Sequence, residues 1–365
     1  MSIELTQMSA DEYQKISSGS MTPSMAAEYL KEGRIALREF PALLRSIYDK
    51  PDLQQKLTDA FAAAVPGSNP DSVGKKIRNW LNGKNKPTAR EDVFILAFAL
   101  GLTEGQTSVL LGHCTEYGIH YRNGRELVYA WFLRSGRTYV EAKTFFEGLQ
   151  DYAGEAPELD RQLTRQLQSG LLFVQTEEEL RHYYIENRHL MGHFHMRAYY
   201  YFERYLKQLT NPISAMTGEE EAIYSLDTVM DEYLSLHMPS GKDRKGYSVV
   251  QKLVKKNWPN TTALKNIRAQ KEDVPRKLLL LLYVITENIV DDDYSELDED
   301  YLTLEDRMED HWWTINAILG DCGMPTLDPR NASDWLVLYA LTAMDEPMSE
   351  RMEQVIAHMF EDTLQ

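Results

Sequence analysis

Lys75, Lys76, Arg78 and Asn79 fall within five residues, and Lys84, Asn85 and Lys86 follow directly on Asn82-Gly83. Lysine and arginine neutralise phosphates, and Arg and Asn hydrogen-bond base edges. At helical spacing Ile77, Trp80 and Leu81 share one face, which has to be buried. Gly74, Lys75, Arg78 and Asn79 then lie largely on the opposite face. The chemistry these residues offer is recognition of double-stranded DNA. Lys75, Lys76, Arg78, Asn79 and Gly74 would sit in the major groove, and Asn82, Lys84, Asn85 and Lys86 on phosphates. A second, weaker set lies further along: Lys265, Arg268, Arg276 and Lys277.

Other reactive residues point to packing. His189 and His193 are four apart, a spacing that can hold zinc on a helix. No acid or cysteine follows at ligand spacing, and the expectation is a polar helix face. Tyr199, Tyr200, Tyr201, Phe202 and Tyr205 could stack on bases but read as core. Cys114 and Cys322 read as small buried residues. Phosphate-binding glycine loops, nucleophile elbows and catalytic Cys/His signatures are missing. No enzyme, metal or cofactor is therefore expected.

The net charge is −17, which excludes a protein that coats nucleic acid along its whole surface. The distribution is more informative. Residues 71–90 hold six Lys and Arg against one Asp, and residues 242–277 hold eleven against three acids. Two basic islands thus interrupt an acidic body, which offers a further surface to a protein partner. Residues 291–310 hold eleven acids and one Arg and read as an exposed insert. No apolar run is long enough to span a membrane. Two cysteines and no apolar leader lead us to expect a reduced, cytoplasmic protein.

The elements that must position these residues read as helices, with no alternating strand pattern. Ala36 to Tyr48 and Leu53 to Val65 are amphipathic, and Pro66 to Pro70 is a break. A short helix follows from Ser72 to Leu81. Thr88 and Glu91 read as a capping box for a helix from Asp92 to Leu100. Glu177 opens a helix expected to run to Leu209, and Glu350 to Phe360 is the last.

Ile77, Trp80, Gly83, Pro87, Thr88, Ala97, Ala99, Leu100 and Gly101 resemble, in order and spacing, the lambda-repressor-like helix-turn-helix of the Cro/repressor type. The resemblance covers about residues 40–112. In that family an apolar residue and an aromatic three positions later anchor the recognition helix, and a glycine follows in the turn. It implies that the helix ending at Leu81 enters the major groove. One departure is the stretch from Pro66 to Asp71, longer than the family's tight turn.

The chain also repeats itself. Leu111-Gly112-His113-Cys114, Arg122-Asn123 and Glu126 recur 208 positions later as Leu319-Gly320-Asp321-Cys322, Arg330-Asn331 and Asp334. Each Asn reads as an N-cap whose following acid bonds back to the cap amide. Upstream, Asn266-Ile267-Arg268 parallels the stretch ending at Arg78, without the aromatic and the glycine. The expected fold is all-α, multi-helical and internally duplicated. It comprises a flexible arm (1–25), a helix-turn-helix domain with following helices (26–135), a linking helical region (136–240) and a diverged second lobe (241–365). The expected function is sequence-specific DNA binding in transcription control. The alternative is a helical adaptor whose helix-turn-helix folds no longer bind DNA.

Overall fold

A computed structural model of the protein describes residues 7–65, 67, 69–149, 163–212, 222–241, 245–286 and 303–361. These residues are all-helical, without strands. The chain divides into two units. The first holds residues 38–197 with 323–325, and the second residues 1–37, 198–322 and 326–365. The expected linking region is not a unit of its own. Its residues 136–197 belong with the first unit and 198–240 with the second.

In the first unit, helices Phe40–Ile47, Leu53–Ala64, Pro70–Leu81, Arg90–Leu100, Glu104–Thr115, Gly124–Arg134 and Tyr139–Glu147 follow one another. Helices Leu163–Leu171 and Glu177–Asn187 complete the unit. Leu57, Phe61, Ile77, Trp80, Phe94, Leu111 and Phe132 share one core. The local signals are strong. Asn69 accepts the Asp71 and Ser72 amides, and Pro70 supplies a preset first helical residue. Gly101, at φ 63°, closes Arg90–Leu100 in the left-handed region. Thr103 and Gln106 form a capping box for the next helix.

In the second unit the segment expected as a loose arm contains helix Gln7–Ser17, followed by Pro23–Lys31. Ser9, Glu12 and Ile16 are buried, and Glu12 accepts from Lys15 and from the Tyr29 hydroxyl. Its polar composition hid an amphipathic helix whose buried face is small and partly polar. Helices Val249–Lys255, Thr261–Arg268, Arg276–Thr286, Leu304–Asp321, Ala332–Ala340 and Met348–Phe360 build most of the remainder. Residues 291–302 of the expected acidic insert, and 242–244 of the second basic island, lie outside the described residues. Glu305, Asp306, Glu309 and Asp310 belong instead to the first turns of Leu304–Asp321, capped by Thr303. Acids there favour the positive end of the helix dipole.

Each unit carries the same clasp. In the first, Arg90 donates from Nε and Nη2 to the two carboxylate oxygens of Glu126, both at 2.6 Å, and from Nη2 to the Gly118 carbonyl at 2.6 Å. The His120 amide donates to Glu126 Oε2 at 2.8 Å. In the second, Arg276 donates from Nη1 and Nη2 to Asp334 at 2.5 and 2.9 Å, and from Nη2 to the Thr326 carbonyl at 3.1 Å. The Asp328 amide donates to Asp334 Oδ2 at 2.9 Å. Gly118 and Thr326, His120 and Asp328, and Glu126 and Asp334 are each 208 positions apart.

Asn123 and Asn331 cap their helices as expected, each accepting two first-turn amides. The acids three residues on do not return to the cap amide. The arginine and the loop amide claim both carboxylate oxygens, and a charge-assisted bidentate pair is the stronger bond. The capping box expected at Thr88 is not formed either. The helix starts at Arg90, and Glu91 Oε1 accepts from the Tyr129 and Tyr139 hydroxyls at 2.7 and 2.5 Å.

Two outcomes follow for stability. Arg276→Met should lower the unfolding free energy by about 3–5 kcal/mol, because it strands a buried carboxylate. Asn331→Ala should cost about 1 kcal/mol. Adding Asp334→Leu to Arg276→Met should recover much of the larger loss, as read by urea unfolding followed by circular dichroism.

His311 is fully buried, with the Tyr283 hydroxyl 2.7 Å from Nδ1. Burial, then the nearby Arg307 charge, hold its pKa down to about 3. The unfolded chain titrates this imidazole near ~6.5 and so binds the proton first. Its stabilising effect is complete above that value and is lost as pH falls toward about 3. Melting temperatures measured from pH 7 to 4.5 should therefore fall less steeply for His311→Gln than for the parent chain.

Candidate nucleic-acid interface

Helix Pro70–Leu81 is sharply two-faced. Val73, Gly74, Ile77 and Trp80 are buried, and Trp80 meets Phe61 edge-on at 5.4 Å. Helix Leu53–Ala64, which carries Phe61, is therefore its platform. On the outer side Lys75 and Arg78 are exposed and Asn79 is half-buried. Gly83, at φ 69°, turns the chain, and the Gly83 and Lys84 amides donate to the Trp80 and Asn79 carbonyls. That glycine C-cap sets Asn82, Lys84 and Asn85 on the surface.

Three residues of the expected set are tied into their own unit, Lys76 while still exposed. Gly74 lies on the buried stripe, where an added Cβ would meet Arg78 Nη1 at 3.3 Å. Lys76 Nζ pairs with Asp92 at 2.7 Å and sits 5.2 and 5.0 Å from the Phe61 and Trp80 ring centres. It clamps the helix to its own unit by ion pairing and cation–π attraction. Lys86 is half-buried and donates to the His113 carbonyl at 2.5 Å, near the negative end of helix Glu104–Thr115. Lys75, Arg78, Asn79, Asn82, Lys84 and Asn85 remain as one outward group.

The second set is engaged within its own unit. Lys265 pairs with Asp227 at 3.1 Å, and Arg268 Nε lies 4.0 Å from Glu203. Arg276 is 7% exposed and held in the clasp, so it presents no surface to a phosphate. Lys277 donates to the Leu253, Val254 and Lys256 carbonyls at the end of helix Val249–Lys255.

The histidine-rich segment is not one helix. Glu177–Asn187 ends in a tight turn over Arg188–Leu190, and the next helix starts at Met196. Leu190 O accepts from Arg122 Nε, and the Gly192 amide donates to Arg122 O, so tertiary bonds replace the helical ladder. His195 stacks on Tyr117 and His120 with ring centres 3.5 and 4.0 Å apart. Burial, first, and the neighbouring His195 push the His120 pKa well below its ordinary value. Among the described residues no group of three His, Cys, Asp or Glu is placed to hold a metal. Tyr199, Tyr201, Phe202 and Tyr205 are core, as expected. Burial pushes the Cys114 thiol up to about 12, against the opposing effect of Lys86, so it is a poor nucleophile.

A cleft of about 350 Å³ in the first unit was not foreshadowed by any motif. It brings Arg122 to Phe94, Phe146 and Tyr184, residues far apart in the chain. Only the second half of the Arg122-Asn123 pair, the helix cap, was legible in advance.

Comparison with protein-family models, with curated proteins and with solved structures finds no match. No described helix is long and apolar enough to cross a membrane.

The two roles on helix Pro70–Leu81 separate by stability. Lys76→Met should lower the unfolding free energy by about 0.5–1 kcal/mol, the scale of a half-exposed ion pair with a cation–π contact. Lys75→Ala and Arg78→Ala should each stay within about 0.5 kcal/mol of the parent chain. Thermal melts of the three variants provide the comparison.

Proposed function

We propose that the first unit binds double-stranded DNA through the outer face of helix Pro70–Leu81 and the turn after it. One observation carries this reading. Lys75 and Arg78, on a helix whose opposite face is committed to the core, and Lys84, in the turn after it, are exposed cations without an ion pair among the described residues. Lys76, Arg90, Arg125, Arg134 and Arg137 of the same unit are paired with acids. Asn79, Asn82 and Asn85 lie among these cations and supply neutral donors and acceptors for base edges and phosphates. Sequence-specific binding in the control of transcription is the form of this activity that a repressor-type reading helix serves. Cys114 and Cys322 form no disulfide, which fits a reducing, cytoplasmic setting.

The matched clasps support reading the second unit as a diverged internal copy. It retains the helix-anchoring arginine–carboxylate pair, while its counterpart of the reading helix, Thr261–Arg268, spends Lys265 and Arg268 on neighbouring acids. In this reading a single reading helix acts, and the second copy serves as scaffold. A paired reader within one chain is not what its charges favour.

Binding to a duplex should weaken steeply with salt, with a slope of about 0.9 for each phosphate neutralised. Lys75→Ala/Arg78→Ala/Lys84→Ala should abolish binding and leave the circular dichroism spectrum intact. Lys265→Ala/Arg268→Ala should leave affinity unchanged. Fluorescence anisotropy at two salt concentrations reads all three proteins. Unaltered affinity in the triple variant overturns the proposal, and lost affinity in the double variant restores the paired reader.

A further inference from the structure

The cleft in the first unit lies where helix Gly124–Arg134 begins. Arg122 lines it although that side chain is 5% exposed. Arg122 Nε donates to the Leu190 carbonyl at 2.9 Å, while Nη2 is buried with no hydrogen-bond partner. An arginine held this way is costly, because a desolvated guanidinium nitrogen forfeits its water without replacement. Its counterpart Arg330 in the second unit has no such deficit. There Nε donates to the Ala36 carbonyl at 2.7 Å and Nη2 to the Leu37 carbonyl at 3.2 Å.

The acids around the cleft do not neutralise Arg122. Glu126 is taken by Arg90 and the His120 amide. Glu91 accepts from Tyr129 and Tyr139 and lies 3.8 Å from Arg125. Arg90 and Arg125 balance these two carboxylates, so Arg122 leaves the cleft with a surplus positive charge. The adjoining helix start adds a positive partial charge of its own. Burial also draws the Arg122 pKa down from its ordinary value, the behaviour of a charge short of a counter-ion.

The remaining wall combines the polar side chains of Asn123 and His193 with an apolar, largely aromatic side. Phe94, Tyr184 and Met191 are buried, and Phe146 is half-exposed beneath the Arg125 guanidinium, 5.2 Å from the ring centre. Gly124 permits this arrangement, since a Cβ there would come 2.7 Å from the Tyr184 ring. A volume of about 350 Å³ suits a small organic molecule.

We propose that this cleft is a binding site for a small organic anion. A carboxylate or phosphate head would pair with Arg122 at the start of helix Gly124–Arg134, and a flat apolar body would lie against Phe146, Tyr184 and Met191. Guanidinium forks recognise both heads, and the aromatic wall selects for the body. None of Lys75, Arg78, Asn79, Asn82, Lys84 and Asn85 lines the cleft, and the proposal does not rest on the DNA-reading face.

Isothermal titration calorimetry of the full chain with phenyl phosphate, benzoate, inorganic phosphate and phenol tests this. Phenyl phosphate or benzoate should bind at least about tenfold more tightly than inorganic phosphate and than phenol. Preference for phenyl phosphate identifies a phosphate ester as the ligand head, and preference for benzoate a carboxylate. Arg122→Gln should weaken the preferred probe by at least about tenfold, while Lys143→Gln, a surface change in the same unit, should leave it unaltered. Phe146→Ala should weaken the organic anion without changing inorganic phosphate. It keeps the test open should Arg122→Gln fail to fold. Absence of heat with every anion, equal binding of phenyl phosphate and inorganic phosphate, or undiminished binding in a folded Arg122→Gln protein overturns the proposal.

Discussion

Both units depend on one interaction, an arginine that grips a buried carboxylate with two nitrogens and a loop carbonyl with a third bond. Arg90 and Arg276 are the first residues of their helices, and Glu126 and Asp334 lie in the first turns of theirs. The bond therefore ties two helix starts to the loop between them. Its geometry leaves little freedom, because two parallel bonds fix the guanidinium plane and the loop amide uses the last carboxylate lone pairs. An ion pair of this kind adds less net stability than its contact distances imply, since both charges give up water. What it confers is arrangement. Arg276 is closed to solvent once it holds the clasp, while Arg90 keeps one edge exposed at the cleft.

The same accounting separates the cations of helix Pro70–Leu81. The helix needs one apolar stripe for the core, and Val73, Ile77 and Trp80 supply it. Residues bordering that stripe lay their stems on it and turn their charges toward the nearest acid, as Lys76 does with Asp92. Lys75 and Arg78, a further step around the helix, are exposed and make no ion pair among the described residues.

Arg122 inverts the pattern. It is as buried as Arg276 but has one backbone carbonyl where Arg330 has two. The loop around Gly192, which interrupts what would otherwise be a continuous helix, is what places Leu190 against it. The break in the helix and the unsatisfied guanidinium are thus two consequences of one local path of the chain, and the aromatic cleft lies beside both.

Periodicity and capping chemistry were enough to establish the helical class, the Asn123 and Asn331 caps, and the buried side of Pro70–Leu81. These are local effects, carried by residues three or four positions apart. The outward positions of Lys75, Arg78 and Lys84 follow from the same stripe. Partners distant in the chain were not legible. The arginine claiming Glu126 lies 36 residues before it, and the one claiming Asp334 lies 58 before it. Composition likewise concealed helix Gln7–Ser17, whose burial rests on Glu12 meeting Tyr29. Only tertiary structure decided which basic residues keep their charge for a ligand, because pairing is settled by whichever acid or carbonyl the fold brings within hydrogen-bond range, and that neighbour is rarely the next one in sequence.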